Sequence, residues 1–223
     1  MTDNPELLDG YRAKLVQRKQ DWARDGRLIE HETVARSAEN RLPPGQRLVE
    51  TWPVLDLGVQ PEIAKEEWRF TIDGLVENPI SWTWDDFLSQ PQVTLTSDIH
   101  CVTGWSRYDN AWTGVHAAHL LEMCRPEKQA MYCLLYAFDG YTTNIRLDRF
   151  ADSDVLLAHS WGGEYLTRQH GGPVRAVVPK WYFWKSAKWI RRIEFIADDE
   201  TGFWEDRGYH NDGDPWKEQR YEE

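Results

Sequence analysis

Cys101 stands in the run Asp98-Ile99-His100-Cys101-Val102-Thr103-Gly104-Trp105-Ser106, a polar and glycine-containing setting that packing alone does not require. A thiolate is a soft ligand suited to certain transition metals, so Cys101 reads as the protein ligand of a metal cofactor. The other two cysteines read differently. Cys124 falls on the apolar face of a predicted helix and Cys133 in a predicted core strand, where an unreactive thiol is the ordinary outcome. His116 and His119 read as helix-surface or core histidines rather than half of a zinc site. His100 is adjacent to Cys101 on a predicted strand, where neighbouring side chains point apart, so the two do not make a Cys–His pair.

A second feature lies downstream. Between Tyr165 and Ile193 stand Arg168, Arg175, Lys180, Lys185, Lys188, Arg191 and Arg192, without one Asp or Glu, in a chain whose formal net charge is -11. The run includes His170-Gly171-Gly172-Pro173, where glycine lets a ligand approach the backbone. Arg175 can clamp a phosphate bidentately, and Lys185, Ser186 and Lys188 add charge and a hydroxyl donor among Trp181, Trp184 and Trp189. Arg191 and Arg192 read as a solvated face. The pattern suits an anionic, phosphate-bearing ligand, yet neither a Walker loop nor a Gly-x-Gly-x-x-Gly turn after a strand is present.

These residues need a scaffold. Residues 1–45 carry Leu7, Leu8, Tyr11, Leu15, Trp22 and Val34 among many charges, which predicts an N-terminal extension of one or two surface helices. Leu42-Pro43-Pro44-Gly45 breaks helix and sets the boundary of a main domain over 46–223. There, Trp68, Phe70 and Ile72 alternate with polar residues as a half-buried strand. Thr83 followed by Asp85 and Asp86 marks a helix start. Val93 and Leu95 form a strand that delivers Cys101 just past its end. Val115, Ala118, Leu121 and Met123 predict a helix stopping before Pro126. Met131–Ala137 reads as a buried strand, Asp139-Gly140 as a tight turn, and Tyr141 to Leu147 as the returning strand. Further strands fall at Val155–Ala158, Val174–Val178 and Trp189–Ala197. The fold class is α+β, strand-rich and mixed, with peripheral helices. The tail from Gly202 has enough aromatics to wrap onto the domain.

Composition narrows the function. The acidic balance argues against nucleic acid and anionic membranes as partners, because binding to either rests on positive charge. No apolar stretch is long enough for a membrane span, and residues 1–40 hold no apolar run suited to an export signal, so the expected location is cytoplasmic. The three cysteines lack a Cys-x-x-Cys pair, which indicates neither a disulfide framework nor a zinc ribbon.

Taken in order, Cys101-Val102 with Trp105-Ser106, Trp112 and Gly114, His170-Gly171-Gly172-Pro173-Val174-Arg175, Val178-Pro179 and Lys185-Ser186-Ala187-Lys188-Trp189 form a recognisable set. From about Trp52 to Tyr221 the chain resembles the molybdopterin-binding domain of the sulfite oxidase superfamily, especially its small bacterial branch that includes the catalytic subunit of periplasmic methionine-sulfoxide reductase. The resemblance implies a mononuclear molybdenum–molybdopterin cofactor with Cys101 as metal ligand. His170 and Arg175 would hold the pterin and its phosphate, with the Lys185-Ser186-Ala187-Lys188 segment beside them. Leu55 and Asp56 would contribute from the N-terminal side, and Trp105 and Tyr141 would line the substrate side.

Three departures from sulfite oxidases stand out. Pro53 to Gly58 replaces a segment that brings Arg and His to the cofactor. Trp105 and Ser106 occupy positions where an arginine usually helps to bind sulfite. Tyr182-Phe183-Trp184 replaces a Tyr-Gly pair. The expected activity is therefore oxygen-atom transfer to or from a small molecule, with a sulfoxide or other sulfur compound preferred over sulfite. No haem domain is recognisable, so a separate electron donor or acceptor protein is expected. The alternative from another class is a carrier or insertion protein that holds the cofactor without turnover.

Overall fold

The structure, a computed structural model, describes residues 5–25 and 41–222. Helix α1 (Pro5–Asp25) precedes β1 (Arg47–Leu48), β2 (Arg69–Gly74) and β3 (Ile80–Thr83). Helix α2 (Trp84–Ser89) leads into a long hairpin, β4 (Gln92–Cys101) and β5 (Trp105–His116), followed by α3 (Ala117–Cys124). Strands β6 (Tyr132–Ala137) and β7 (Thr142–Arg146) flank the turn at Asp139-Gly140, and the one-turn helix α4 (Leu147–Phe150) follows. The remaining strands are β8 (Leu156–Trp161), β9 (Glu164–Tyr165), β10 (Arg175–Val177) and β11 (Ile190–Ile196).

The strands form two sheets. In the first, β5 is the hub. Strand β4 pairs along its length, while the other edge is shared by β1 at Trp105 and Ser106 and by β8 from Trp112 to His116. Strands β10 and β9 extend the sheet from β8. The second sheet runs β3-β2-β11-β6-β7, with β11 parallel to β2 and antiparallel to β6. This mixed, two-sheet arrangement with helices at the periphery is the expected α+β class.

Local chemistry explains most of the elements. In β2, Phe70 and Ile72 are fully buried while Arg69 faces solvent; each such apolar side chain contributes about 1.5–3 kcal/mol by leaving water. Helix α2 starts in a capping box, with Asp86 N donating to Thr83 Oγ1 at 3.2 Å and Thr83 N donating to Asp86 Oδ2 at 2.9 Å. Trp68, Trp84 and Phe87 pack edge-to-face and stacked into one aromatic cluster. Gly114 lets β5 and β8 close up, since a Cβ there would meet Leu157 O at 1.9 Å.

One expectation needs correction, and one strand was not anticipated. Val115 is not helical. It belongs to β5, and the helix begins only at Ala117, where the His116 side chain caps it by accepting from Ala118 N at 3.0 Å. Strand β5, 12 residues long, was not legible as a strand. Asp109 sits at φ 54 within it, and the β4–β5 register shifts between Ser97 and Ile99, so the alternation that would betray a strand is broken. Helix α1 falls within residues 1–45; residues 26–40, including Val34, lie outside the described residues. The tail wraps onto the domain, with Trp204 and Tyr209 buried. Among the described residues, no helix is long and apolar enough to cross a membrane.

Candidate active site

Cys101 is the last residue of β4, and residues 102–104 carry the chain into β5. Gly104 supplies the left-handed turn at φ +91, and its N–H closes the loop on the Cys101 carbonyl at 3.0 Å. Arg47 of β1 donates to the Gly104 carbonyl at 3.0 Å, which pins the tip to the sheet. Behind the cysteine runs a buried polar chain. Gln46 Nε2 donates to the Cys101 carbonyl at 3.1 Å, the Ser106 hydroxyl donates to Gln46 Oε1 at 3.3 Å, and His100 Nδ1 pairs with Ser106 Oγ at 2.8 Å. Burial lowers the His100 pKa to about 4, so the ring is neutral at pH 7. The Cys101 side chain goes the other way. Its Sγ lies 3.1 Å from Thr103 Oγ1, and it lines a cleft. Burial pushes the thiol up, against the Thr103 hydrogen bond and the charges of Lys19 and Arg220.

The cleft encloses about 850 Å³ of empty space, open solvent at its mouth included. The hairpin tip forms one wall with Cys101, Thr103 and Trp105. The segment Trp52 to Leu57, the turn at Asp139 with Tyr141, and Gln169, His170 and Arg175 form others. Phe183, Trp184, Ser186, Ala187, Lys188 and Trp189 complete the floor, and Trp204 and Tyr209 enter from the C-terminal tail. Lys19 reaches in from α1.

The acid-free basic run divides by partner. Arg168 pairs with Glu62 at 3.8 Å, Lys180 with Asp152 at 3.3 Å, and Arg192 with Asp73 at 2.8 Å, all at the surface. Arg191 is exposed and donates to the Ala137 carbonyl. Lys185 is also spoken for. Its Nζ lies 2.6 Å from Glu205 Oε1 and donates to the Asn144 carbonyl and side chain, with both members of the pair buried. Lys185, expected at the cofactor, thus sits in a buried ion pair and is not among the residues that line the cleft. Only Arg175 and Lys188 of the seven line the cleft, and neither has a carboxylate at ion-pair distance among the described residues.

Arg175 is held by three carbonyls: Ala176 at 3.3 Å, His170 at 2.9 Å and Ser186 at 2.8 Å. It also sits over the rings of Phe183 and Trp52 at 4.3 and 5.3 Å. Burial lowers its pKa to about 9, which leaves it charged at neutral pH. Lys188 donates to the Gln169 carbonyl at 3.0 Å, and burial together with Arg175 brings its pKa down to about 7. His170 stacks on Trp52 at 3.9 Å and 12°. Burial, then Arg175 and Lys188, lower its pKa to about 4, so it presents a neutral imidazole.

Two carboxylates temper the positive field. Burial disfavours ionisation of Asp56, but hydrogen bonds from Gln60 at 2.6 Å and Gly58 N at 2.8 Å and the charges of Lys188 and Lys19 hold its pKa below the usual range. Burial raises that of Asp139, against the hydrogen bond from Tyr141 N at 3.0 Å. Leu55 and Ala187 contribute apolar wall. The Ser186 hydroxyl accepts from Val178 N at 2.9 Å, which leaves its O–H to donate. Tyr141 lines the cleft, but its hydroxyl donates to the Trp184 carbonyl at 2.6 Å. Trp105 is buried, and its Nε1–H has no partner among the described residues.

The structure thus gathers Leu55, Asp56, Cys101, Trp105, Tyr141, His170, Arg175, Ser186, Ala187 and Lys188 around one space and leaves out Lys185. Sequence reasoning missed Lys19, Trp52, Thr103, Asp139, Trp204 and Tyr209. The residues present fit an anionic metal–pterin group. A soft sulfur donor, three cations (Lys19, Arg175 and Lys188) without an ion-pair carboxylate among the described residues, and the orphaned Trp105 donor line the same aromatic cleft.

Residues 57–204 match the family described as oxidoreductase molybdopterin binding domain, and the chain belongs to that family of molybdopterin-dependent oxidoreductases. It is 44% identical over 182 residues to the uncharacterized oxidoreductase YuiH of Bacillus subtilis (strain 168), covering 81% of this chain and 92% of that one. It is 29% identical over 153 residues to the protein-methionine-sulfoxide reductase catalytic subunit MsrP of Ralstonia nicotianae, covering 61% of this chain and 46% of that one. Among solved structures, the sulfane dehydrogenase SoxCD of Paracoccus pantotrophus matches with a TM-score of 0.57 and 26% identity, over 62% of this chain and 40% of that one.

Proposed function

We propose that the protein uses a molybdenum–molybdopterin cofactor to transfer an oxygen atom to or from a small substrate, with sulfoxides and related sulfur compounds as the substrate class. The observation that carries this reading is the buried Cys101 Sγ on the wall of a cleft that also holds Arg175 and Lys188, cations with no ion-pair partner among the described residues. When bound, the cofactor supplies the two-electron redox and oxygen-exchange chemistry.

The chain's own residues have distinct tasks. Cys101 would be the metal ligand, giving up its proton on binding. Arg175 and Lys188 would hold the anionic pterin and its phosphate, with neutral His170 as a hydrogen-bonding neighbour. Leu55, Asp56, Ser186 and Ala187 would shape the cradle. Trp105 and Tyr141, with Trp204 and Tyr209, offer aromatic surface on which sulfur groups pack favourably. Tyr141 acts there as shape, because its hydroxyl is committed to Trp184.

The balanced reaction takes up two electrons and two protons, breaks the S–O bond and releases sulfide and water. The electrons would come from a separate donor protein, a reading supported by the name catalytic subunit given to the MsrP relative. The test is reduction of methyl aryl sulfoxides by cofactor-loaded protein with a reduced viologen dye as electron source. Wild type should turn over and Cys101→Ser should lose at least about 100-fold, as expected when a metal ligand is removed. A loaded wild type inert toward sulfoxides would sink the substrate assignment.

A further inference from the structure

Lys19 is placed unlike a lysine on a solvated helix. Such a side chain keeps its ammonium in water, whereas Lys19 Nζ donates to the Asp56 carbonyl and lines the cleft that holds Cys101. No carboxylate among the described residues lies at ion-pair distance from it. The ammonium has three donors, so two remain for a ligand.

Helix α1 is fixed in this position from several sides. Arg12 donates to the Asp139 carbonyl at 3.2 Å, and Gln20 Nε2 to the Arg207 carbonyl at 3.0 Å. From the tail, the Tyr221 hydroxyl donates to the Gln20 carbonyl at 2.5 Å and the Tyr209 hydroxyl to the Lys19 carbonyl at 3.5 Å. The helix thus bridges the Asp56 segment, the Asp139 turn and the C-terminal tail, and each of these contributes to the cleft. It lies outside residues 57–204, the part that matches the family.

We propose that Lys19 is an anion-binding residue of the cleft, completing with Arg175 and Lys188 a site for a phosphate-like oxyanion. Three cations against the two carboxylates Asp56 and Asp139 leave a net positive charge that an oxyanion would neutralise. Its source is either the phosphate of the cofactor or an anionic group on the substrate; naming these two sources rests on the proposed function, while the oxyanion chemistry does not.

The experiment uses the full-length chain with Lys19→Met and Lys19→Arg. Inorganic phosphate is titrated into cofactor-free protein and followed by fluorescence of the cleft tryptophans. Lys19→Met should weaken phosphate by about tenfold, the scale of one charge-assisted contact, and Lys19→Arg should restore most of it. Phosphate that fails to bind wild type, or binds Lys19→Met as tightly, overturns the proposal. In loaded protein, loss of molybdenum and pterin from Lys19→Met on gel filtration assigns the anion to the cofactor. Full retention with a raised KM for an anionic substrate and unchanged kcat assigns it to the substrate. Should wild type prove unable to hold molybdenum or pterin, the proposed function fails while the phosphate result still decides the role of Lys19.

Discussion

Cys101 Sγ and Thr103 Oγ1 lie 3.1 Å apart at the tip of the β4–β5 hairpin, both buried and both on the wall of the cleft. The closing hydrogen bond from Gly104 N to the Cys101 carbonyl fixes that spacing in the backbone, so the hydroxyl is delivered to the sulfur by the turn itself. A hydroxyl donating to a metal-bound thiolate withdraws electron density from it, which raises the potential of the metal.

Thr103→Val therefore lowers the midpoint potential. If the hydrogen bond favours the reduced over the oxidised state by about 1 kcal/mol, the shift is roughly 20 mV for a two-electron couple. The sulfur-to-metal charge-transfer band should move to longer wavelength as the thiolate becomes the better donor. Thr103→Ser keeps the hydroxyl and should stay near wild type in both measurements. A dye-mediated redox titration with visible spectra checks this, and equal potentials for Val and Ser variants would remove Thr103 from the account.

The Lys185–Glu205 pair makes a separate prediction about stability. Lys185→Met leaves Glu205 buried beside Trp184 and Thr143 without its cation, and breaking a buried pair on one side costs about 3–5 kcal/mol. The double variant Lys185→Met, Glu205→Gln should recover much of that loss, because no uncompensated charge remains. Urea unfolding of the three proteins measures it. Since Lys185 lies behind the wall, the folded double variant should bind phosphate like wild type.

Sulfate binding to the cofactor-free cleft should weaken as pH rises from about 7 to about 8, where Lys188 and Lys19 lose their protons. Sulfate keeps its charge in that window, so any change belongs to the protein. The sign follows from the chemistry: a deprotonated amine no longer attracts the anion. Lys188→Arg, which stays charged, should flatten the profile. A wild-type affinity constant across this range would contradict the assignment of these lysines.

Acid should destabilise the fold through His100. Its pKa falls from 6.5 to about 4 on folding because the ring is buried, so between those values the unfolded chain binds more protons. Stability therefore falls as pH drops from 6.5 towards 4. His100→Phe should reduce the slope in that interval by about one proton. Chemical denaturation at several pH values compares the two slopes, and identical ones would show that His100 does not contribute.

What the sequence disclosed depended on how local each signal was. Cys101 with its turn, the glycine-rich stretch before Arg175, and Ser186 to Lys188 are each contiguous in sequence, and the structure assembles them around one cleft. Strand β5 escaped notice because Asp109 and a register shift break its alternation. Charge sign alone cannot say whether a lysine faces a ligand or, as Lys185 does, a buried glutamate. Glu205 lies in the acidic tail, outside the basic run. Lys19, Asp139, Trp204 and Tyr209 were missed for the same reason. They enter the cleft from separate parts of the chain, through tertiary contacts that carry no sequence spacing of their own.

The central claim, a molybdenum–pterin group held by Cys101, is tested most directly by metal and pterin analysis of native protein from a molybdate-supplied host. The account predicts molybdenum and pterin in equal amounts, about one of each per chain by the mononuclear stoichiometry, with molybdenum lost or spectrally altered in Cys101→Ser. Native protein carrying neither would contradict it.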